Sequence, residues 1–314
     1  MDRILAQLRA AADPTRLRIL ALAAACDLCV ADFAEVLGQS QPRVSRHLGL
    51  MVDAGLLERR RESKNVFFRL APIGLAPELA TRVAADAVIA ADRRAAQRVL
   101  AERAREATEL FRMQGANWDE MSALGLPHAA IEDAVLARLP SQVDRLLDIG
   151  SGTGRMLEVI APRAATMLGI DASRAMLALA RTRLAERPGL RHAAVRLGDM
   201  YRIEFPDGYF DVVLMQMVLH YATEPARVLA EATRVLAPGG TLVVVDLAPH
   251  TEAALAAQGH LWLGFEDEAL GRMLPAGMLR MEEPSVVPGR LETRIWVARG
   301  ATLDARALPV QETT

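Results

Sequence analysis

Apolar positions along the first 70 residues recur with the period of short helices. Leu5, Leu8 and Ala12 share one face, Asp13-Pro14-Thr15 interrupts it, and Leu17, Leu20, Ala21 and Ala24 resume it in a second helix. Asp32 is expected to cap a third helix over residues 33–37, which Gly38 ends. Ser40 is expected to cap a fourth, which tolerates Pro42 in its first turn. The fourth helix divides into two faces. Val44, Leu48 and Met51 form an inward stripe, while Gln41, Arg43, Ser45, Arg46 and His47 point outward near its N-terminus. Residues 56–61 and 66–70 read as two strands around a polar tip at 62–65, with Arg60, Arg61, Lys64 and Arg69 along them. Between Pro77 and Arg112 the chain has no glycine or proline and is rich in alanine, which predicts one or two long helices with Leu79, Val83 and Ala87 on one stripe.

From residue 143 the period changes to short apolar strands alternating with helices, the signature of a doubly wound α/β sheet. The first strand, 143–149, runs directly into Gly150-Ser151-Gly152-Thr153-Gly154, and a helix follows from Arg155. A glycine loop between strand and helix brings bare backbone close to a ligand at the carboxyl edge of a parallel sheet. The next strand, 165–170, ends in Asp171 followed by Ala172, about 20 residues after the loop, where a carboxylate can accept from ribose hydroxyls. A third strand, near 194–197, ends in Gly198-Asp199-Met200. A fourth begins at Phe210 and exits through Gln216 towards His220 and Tyr221. A helix over 225–236 and Pro238-Gly239-Gly240 lead to a fifth strand, 242–246, and two antiparallel strands at 278–287 and 291–298 close the pattern. Asp211 reads as a sheet terminator, and Met215 and Met217 as core filler.

Composition narrows the class. The chain of 314 residues has 52% hydrophobic and 24% charged residues, as a two-domain globular protein does. Its net charge of −2 excludes a uniformly basic nucleic-acid binder. Of 37 basic residues all but Lys64 are arginine, so a single arginine carries less information here than elsewhere. The uncharged run 212–223 is too short to span a bilayer, and Asp2, Arg3, Arg9 and Asp13 interrupt any leader-like stretch, so the expected compartment is the cytoplasm. Two cysteines, Cys26 and Cys29, cannot staple a domain. They read as buried thiols or as a metal or redox sensor, and no further Cys or His cluster in that domain completes a zinc site, so no metal is expected.

The segments 12–20, 37–48 and 54–57, with Ala12-Asp13-Pro14-Thr15-Arg16-Leu17 and Gln39-Ser40-Gln41-Pro42-Arg43-Val44-Ser45-Arg46-His47-Leu48, resemble the ArsR-type winged-helix regulators. That resemblance implies a homodimer on a palindromic double-stranded operator. Gln41, Arg43, Ser45, Arg46 and His47 would enter the major groove, with Arg60, Arg61, Lys64 and Arg69 beside phosphates. Metal-sensing members carry a Cys-x-Cys where this chain has Cys29-Val30-Ala31.

In the second half the loop spacing is G-x-G-x-G, unlike the G-x-G-x-x-G of dinucleotide enzymes. Asp148 stands two residues before it, where a carboxylate suits an ammonium or sulfonium and repels pyrophosphate. With Asp171, Asp199 and Pro238-Gly239-Gly240 this resembles a class I S-adenosylmethionine (SAM)-dependent methyltransferase, with a Rossmann-like fold and a seven-stranded sheet. The resemblance implies binding of SAM or its product S-adenosylhomocysteine (SAH) by Asp148, Gly150, Ser151, Gly152, Thr153, Gly154, Asp171, Ala172, Gly198, Asp199, Met200 and Gln216. Asp148 would act through nearby backbone or water rather than by contact.

The expected organisation is a winged helix over 1–75, a helical connector and dimerisation segment over 76–112, a methyltransferase-like domain over 113–300 and a flexible tail over 301–314. His220 and Tyr221 are the candidates for an acceptor-facing base. The intact reading face and the lack of an identifiable acceptor site put a SAM- or SAH-sensing transcriptional regulator first. An active methyltransferase of a small-molecule acceptor, carrying a regulatory winged helix, is the alternative. Arsenite methylation is disfavoured because the second domain contains no cysteine.

Overall fold

A computed structural model describes residues 2–62, 65–113, 124–252, 255 and 259–300. Lys64, the stretch 114–123 and the expected tail lie outside the described residues. The chain folds as two compact units: residues 1–116, 152–158 and 173–197 in one, and 117–151, 159–172 and 198–314 in the other.

In the first unit, α1 (Asp2–Ala11) and α2 (Pro14–Ala23) are separated by Asp13, whose carboxylate accepts from the Arg16 N–H at 3.0 Å. A two-residue strand β1 (Leu28–Cys29) leads to α3 (Val30–Leu37), which ends at Gly38 with φ of 64°. The helix starts three residues earlier than the sequence suggests. Asp32 lies inside its first turn instead of capping it, and the wholly buried carboxylate accepts from the Cys29 N–H at 2.8 Å. Helix α4 (Gln41–Asp53) follows Ser40 and seats Val44, Leu48 and Met51, all fully buried, against the core. Strands β2 (Leu57–Glu62) and β3 (Asn65–Leu70) pair antiparallel, with Glu62 opposite Asn65. Asn65 is thus a strand residue, and β1 adds to the far edge of β3.

The connector is two helices, α5 (Ala76–Val83) and the 27-residue α6 (Ala87–Met113). Ala96 and Leu100 of α6 share one core with Ile19, Phe33 and Leu48. A bidentate pair fixes the helix to α2: Arg18 reaches both Asp92 oxygens at 2.7 Å. A second pair, Arg103 to the buried Asp32 at 2.5 Å, fixes it to α3.

The large sheet has eight strands. The expected seven become eight because the segment 278–287 divides into two short strands. Seven of them belong to the second unit: β4 (Val143–Ile149), β5 (Ala164–Asp171), β7 (Phe210–Gln216), β8 (Leu236–Leu247), β9 (Leu279–Met281), β10 (Ser285–Val287) and β11 (Thr293–Gly300). They run in the order β10-β11-β8-β7-β4-β5, with β9 also on β11. Strands β5, β4, β7 and β8 are parallel neighbours, so their carboxyl ends share one edge, while β11 closes antiparallel on β8. After β4 the chain goes first to β5 on one flank and later to β7 on the other. That reversal opens a crevice above β4.

Helix α7 (His128–Arg138) precedes β4, and α8 (Arg155–Ile160) follows the glycine loop. Helix α9 (Arg174–Glu186) and strand β6 (Ala193–Leu197) belong to the first unit. Helices α10 (Pro225–Val235) and α11 (Asp267–Met273) complete the second.

Strand β8 begins six residues earlier than expected and takes in Pro238-Gly239-Gly240 through a register shift opposite Phe210 to Val212. A Cβ on Gly240 would lie 2.8 Å from the Ala237 carbonyl oxygen, so the irregularity demands glycine. Asp211, expected to end the sheet, is instead the second residue of β7, and its carboxylate accepts from the Arg145 N–H of β4 at 2.8 Å. Leu147, Ile149, Val213, Met215, Val228, Leu229, Val244 and Trp296 form the core of this unit.

The Arg18–Asp92 clamp generates a stability prediction. Asp92→Ala lowers stability by about 2 kcal/mol, the loss of a charge-assisted, nearly buried pair. Arg18→Lys recovers only part of it, because an ammonium cannot reproduce the two-pronged contact. Urea unfolding followed by circular dichroism measures both, and a shift below about 0.5 kcal/mol for Asp92→Ala contradicts the clamp.

Candidate functional site

At the end of β4 three glycines in succession take left-handed backbone: Gly150 (φ 72°), Gly152 (φ 49°) and Gly154 (φ 74°). Two of them are glycine for packing. A Cβ on Gly150 would fall 2.4 Å from the Val218 side chain, and one on Gly154 3.3 Å from Ala180 Cβ. Gly152 differs, because nothing lies within 4 Å of where its Cβ would be. That position presents bare backbone to open space, as a loop that cradles a ligand must, and the residues present fit a nucleoside of the SAM type. The loop is held from below by one carbonyl: Ile170 O accepts from Gly150 N–H at 2.8 Å and Ser151 N–H at 3.0 Å. Ser151 is buried and Thr153 half-buried.

Asp171 ends β5 on the same edge, and its carbonyl accepts from the Gly198 N–H at 3.1 Å, which ties the turn Gly198-Asp199-Met200 to it. That turn packs tightly, since a Cβ on Gly198 would approach Ile170 Cβ to 2.9 Å. Asp199 is exposed and accepts from the Tyr201 N–H at 2.8 Å, while Met200 is half-buried against the core. Ala172 is exposed, and Gln216 is half-buried at the end of β7.

Asp148 is 2% exposed, one residue inside the end of β4, and burial, with repulsion from Asp171, pushes its carboxyl up to about 8. It is therefore not a standing negative charge facing the crevice at neutral pH. It is a protonated carboxyl that a nearby cation would persuade to ionise.

The exit from β7 is unusual. Met217 has φ of 53°, left-handed backbone at a residue with a side chain, and its N–H donates to Val245 O at 2.8 Å. Three residues on, His220 is fully buried and its Nδ1 lies 2.8 Å from Asp246 Oδ1. Asp246 Oδ2 also accepts from the His220 backbone N–H at 3.2 Å, and Oδ1 from the Leu247 N–H at 2.8 Å. If Asp246 Oδ1 accepts from Nδ1–H, the other ring nitrogen, Nε2, is the one left to act as an acceptor. His260 stacks on His220 with ring centroids 4.1 Å apart. Nearby His250 is held below the ordinary imidazole range by burial, with Glu252 opposing.

The expectation of His220 as an acceptor-facing base therefore needs correction: the ring lies beneath His260, and of the pair only Tyr221, at 38%, is exposed. Asp246 and His260 were missed from sequence. Asp246 offered one signal, a carboxylate ending an otherwise apolar strand.

On the winged helix, Gln41, Arg43, Ser45 and Arg46 are exposed and His47 is half-buried. Arg61 is exposed and Arg60 half-buried on β2. Arg69 departs from the expected phosphate-facing role. It donates to Ala193 O at 3.4 Å and faces Asp27 at 3.9 Å. Burial pushes the Cys26 thiol up to about 12 and raises Cys29, which disfavours the thiolate a metal needs. Among the described residues no group of three His, Cys, Asp or Glu could hold a metal, and no helix is long and apolar enough to cross a membrane.

A pH prediction follows from Asp148. The folded protein keeps a proton up to about pH 8 that the unfolded chain releases near 3.8. This contribution to stability is thus fully present below the lower value, declines as pH rises, and is gone above the upper one. Asp148→Asn, which does not titrate, should gain stability relative to wild type between pH 5 and 8 and no more beyond about pH 9. Thermal unfolding across that range measures it. A constant difference would mean that Asp148 ionises as in the unfolded chain.

Residues 147–244 match the family described as a methyltransferase domain, and residues 13–59 match the bacterial regulatory protein, arsR family. The chain is 32% identical over 165 residues to the phosphatidylethanolamine N-methyltransferase of Cereibacter sphaeroides, covering 50% of this chain and 81% of that protein. It is 37% identical over 124 residues to the demethylmenaquinone methyltransferase of Thermus thermophilus, covering 39% and 54%. With the arsenite methyltransferase of Aquipseudomonas alcaligenes it shares 37% over 112 residues, 33% of this chain and 32% of that one. Several of these relatives are therefore spanned for about half their length or less. Among solved structures, a chain of the Haloferax volcanii complex between the Trm112 methyltransferase activator and its proposed methyltransferase partner aligns with a TM-score of 0.50 and 19% identity, over 61% of this chain and 96% of that one, a likeness of fold alone. The second half of the chain belongs to the class I SAM-dependent methyltransferases, and an ArsR-type helix-turn-helix domain is fused ahead of it.

Proposed function

We propose that this protein is an active SAM-dependent methyltransferase of a small-molecule acceptor, carried on one chain with a DNA-binding winged helix. This order reverses the sequence-based preference for a pure sensor. The observation that carries it is the carboxyl edge, where the left-handed Gly150, Asp171 and the Asp246–His220 pair stand at the ends of four parallel strands. The relatives matched by this half are themselves mostly methyltransferases. In this reading the glycine loop takes the methionine portion of SAM, Asp171 accepts from the ribose hydroxyls, and Asp199 with Met200 frames the adenine. Asp148 ionises as the cation arrives. Bound SAM supplies an electrophilic methyl group. Methyl transfer to a good nucleophile needs little beyond proximity and in-line orientation, so the chain's main task is to hold the acceptor. Asp246 positions His220, and through it Tyr221, at the side of the crevice. Arsenite is disfavoured as acceptor, because both cysteines lie in the winged helix.

A second reading, coupling of nucleoside binding to operator affinity, is favoured by α9. This helix begins three residues after Asp171, with Ser173 accepting from the Met176 N–H at 3.3 Å. It packs on the connector through Thr182, whose hydroxyl donates to Leu100 O at 3.0 Å, and on the wing through Arg181, 4.0 Å above the Phe67 ring. The same helix thus abuts the nucleoside loop in sequence and the wing in space. Coupling of 1–3 kcal/mol through such a helix suffices for about 5- to 150-fold regulation. A homodimer fits the exposed Ile4, Leu5 and Leu8 on α1, an apolar patch suited to a second copy.

Two experiments test these readings. In calorimetry, Asp171→Ala should weaken SAH binding by about 1–3 kcal/mol while ligand-free operator binding persists. Unchanged SAH affinity removes Asp171 from the site, and failure of labelled SAM to transfer to any component of a metabolite extract removes catalysis. Separately, Arg181→Ala should leave SAH affinity within about twofold but abolish any SAH-dependent change in operator affinity. Undiminished coupling in that variant excludes α9 as the route.

A further inference from the structure

Helices α6 and α9 run antiparallel within the first unit, and two hydrogen bonds fix their register. The Thr182 hydroxyl donates to Leu100 O at 3.0 Å, and one turn further on Gln97 Nε2 donates to Ala185 O at 3.5 Å. The next turn of α6 carries Arg93, and the chain that leaves α9 carries Arg191, after a 3₁₀ turn at Pro188–Leu190. Two guanidiniums thus arrive at one place from facing segments. A third stands beside them: Arg69 donates to Ala193 O at 3.4 Å, two residues past Arg191, and faces Asp27 at 3.9 Å. Arg93 is half-buried. Its Nη1 donates to Ala84 O at 3.3 Å, while its Nε is buried and has no hydrogen-bond partner among the described residues. Burial lowers this guanidinium from its ordinary range and repulsion from Arg191 lowers it further, opposed by the Cys26 thiol; none of the groups acting on it is a carboxylate. Glu186, exposed at the end of α9, is not among them. A buried donor without an acceptor and a cation beside a cation are both costly, and one anion relieves both. There is room for it at the turn, since nothing lies within 4 Å of where a Cβ on Gly189 would be.

We propose that Arg93 and Arg191 form a binding site for a small dianionic oxyanion, phosphate or the head of a phosphate monoester. The class follows from charge and shape. Of the three guanidiniums Asp27 answers one, that of Arg69, which leaves two positive charges to be met. A guanidinium presents its N–H groups as a planar fork, and a tetrahedral oxyanion offers oxygens to two such forks at once. The bound anion would tie the chain after α9 to the connector helix. This site is separate from the operator-reading residues on α4 and is independent of the methyltransferase reading above.

The experiment titrates inorganic phosphate, phenyl phosphate and acetate into the full chain by calorimetry, in a phosphate-free buffer at pH 8 with chloride holding the ionic strength constant. Saturable binding of one phosphate per chain is expected, with acetate about tenfold weaker or worse, because a monoanion leaves one charge unmet. Phenyl phosphate bound as tightly as phosphate identifies the monoester as the natural form, and phenyl phosphate bound about tenfold more weakly identifies the free ion. Arg93→Gln and Arg191→Gln should each weaken phosphate by about tenfold or more, the loss of one charge-assisted contact. Arg94→Gln, which removes an exposed charge one residue along α6, should change it by less than about twofold. Circular dichroism shows that each variant is folded, and since Arg191 is exposed, Arg191→Gln keeps the test available should Arg93→Gln unfold. Absence of saturable heat up to about 50 mM phosphate, acetate bound as tightly as phosphate, or equal losses in Arg191→Gln and Arg94→Gln each overturn the proposal.

Discussion

One carbonyl, that of Ile170, governs the crevice. By accepting from two consecutive N–H groups it bends the chain out of β4 and fixes the glycine loop to the neighbouring strand. The bend places Gly150 so close to Val218 that no side chain fits, and this brings the exit of β7 against the loop. Val218 in turn sits two residues before His220. The start of the glycine loop and the His220 turn are therefore parts of one packing arrangement. A change at Gly150 acts on both, through a steric contact that cannot relax without moving β7.

Asp148 shows how burial converts a charge into a conditional one. A carboxylate in this place, exposed to water, would attract cations from a distance and remain ionised without them. Buried to 2% and facing Asp171, it carries a proton at neutral pH. Its ionisation therefore costs more than that of a carboxylate in water.

Much of this was legible in the sequence wherever a local period or a short motif fixed it. The inward stripe Val44, Leu48 and Met51 is a helical period, and the glycine loop with Asp171 is a spacing. Both kinds of signal are set by neighbours along the chain. What escaped depends on partners far apart. Asp246 meets His220 from 26 residues away, and His260 stacks on it from the opposite side of a loop. Arg69 had the composition of a phosphate contact, yet it turns to the Ala193 carbonyl, 124 residues distant. Asp32 was misassigned for a local reason. A cap and a first-turn carboxylate are both acids near a helix start, and only the extended backbone of Cys29 decides between them.

The connector helix α6 explains why the first unit is more than a winged helix. Ala96 and Leu100 lie in the core beneath the helix-turn-helix, while the carbonyl of that same Leu100 accepts from Thr182 of α9. Arg18 and Arg103 hold α6 through carboxylates that are 6% and 0% exposed at their side chains. A close-packed helix shared by two sets of partners cannot follow one of them without disturbing the other. Any ligand that distinguishes two positions of α9 must therefore distinguish two positions of the wing. A ligand bound equally well in both shifts nothing, however tight it is.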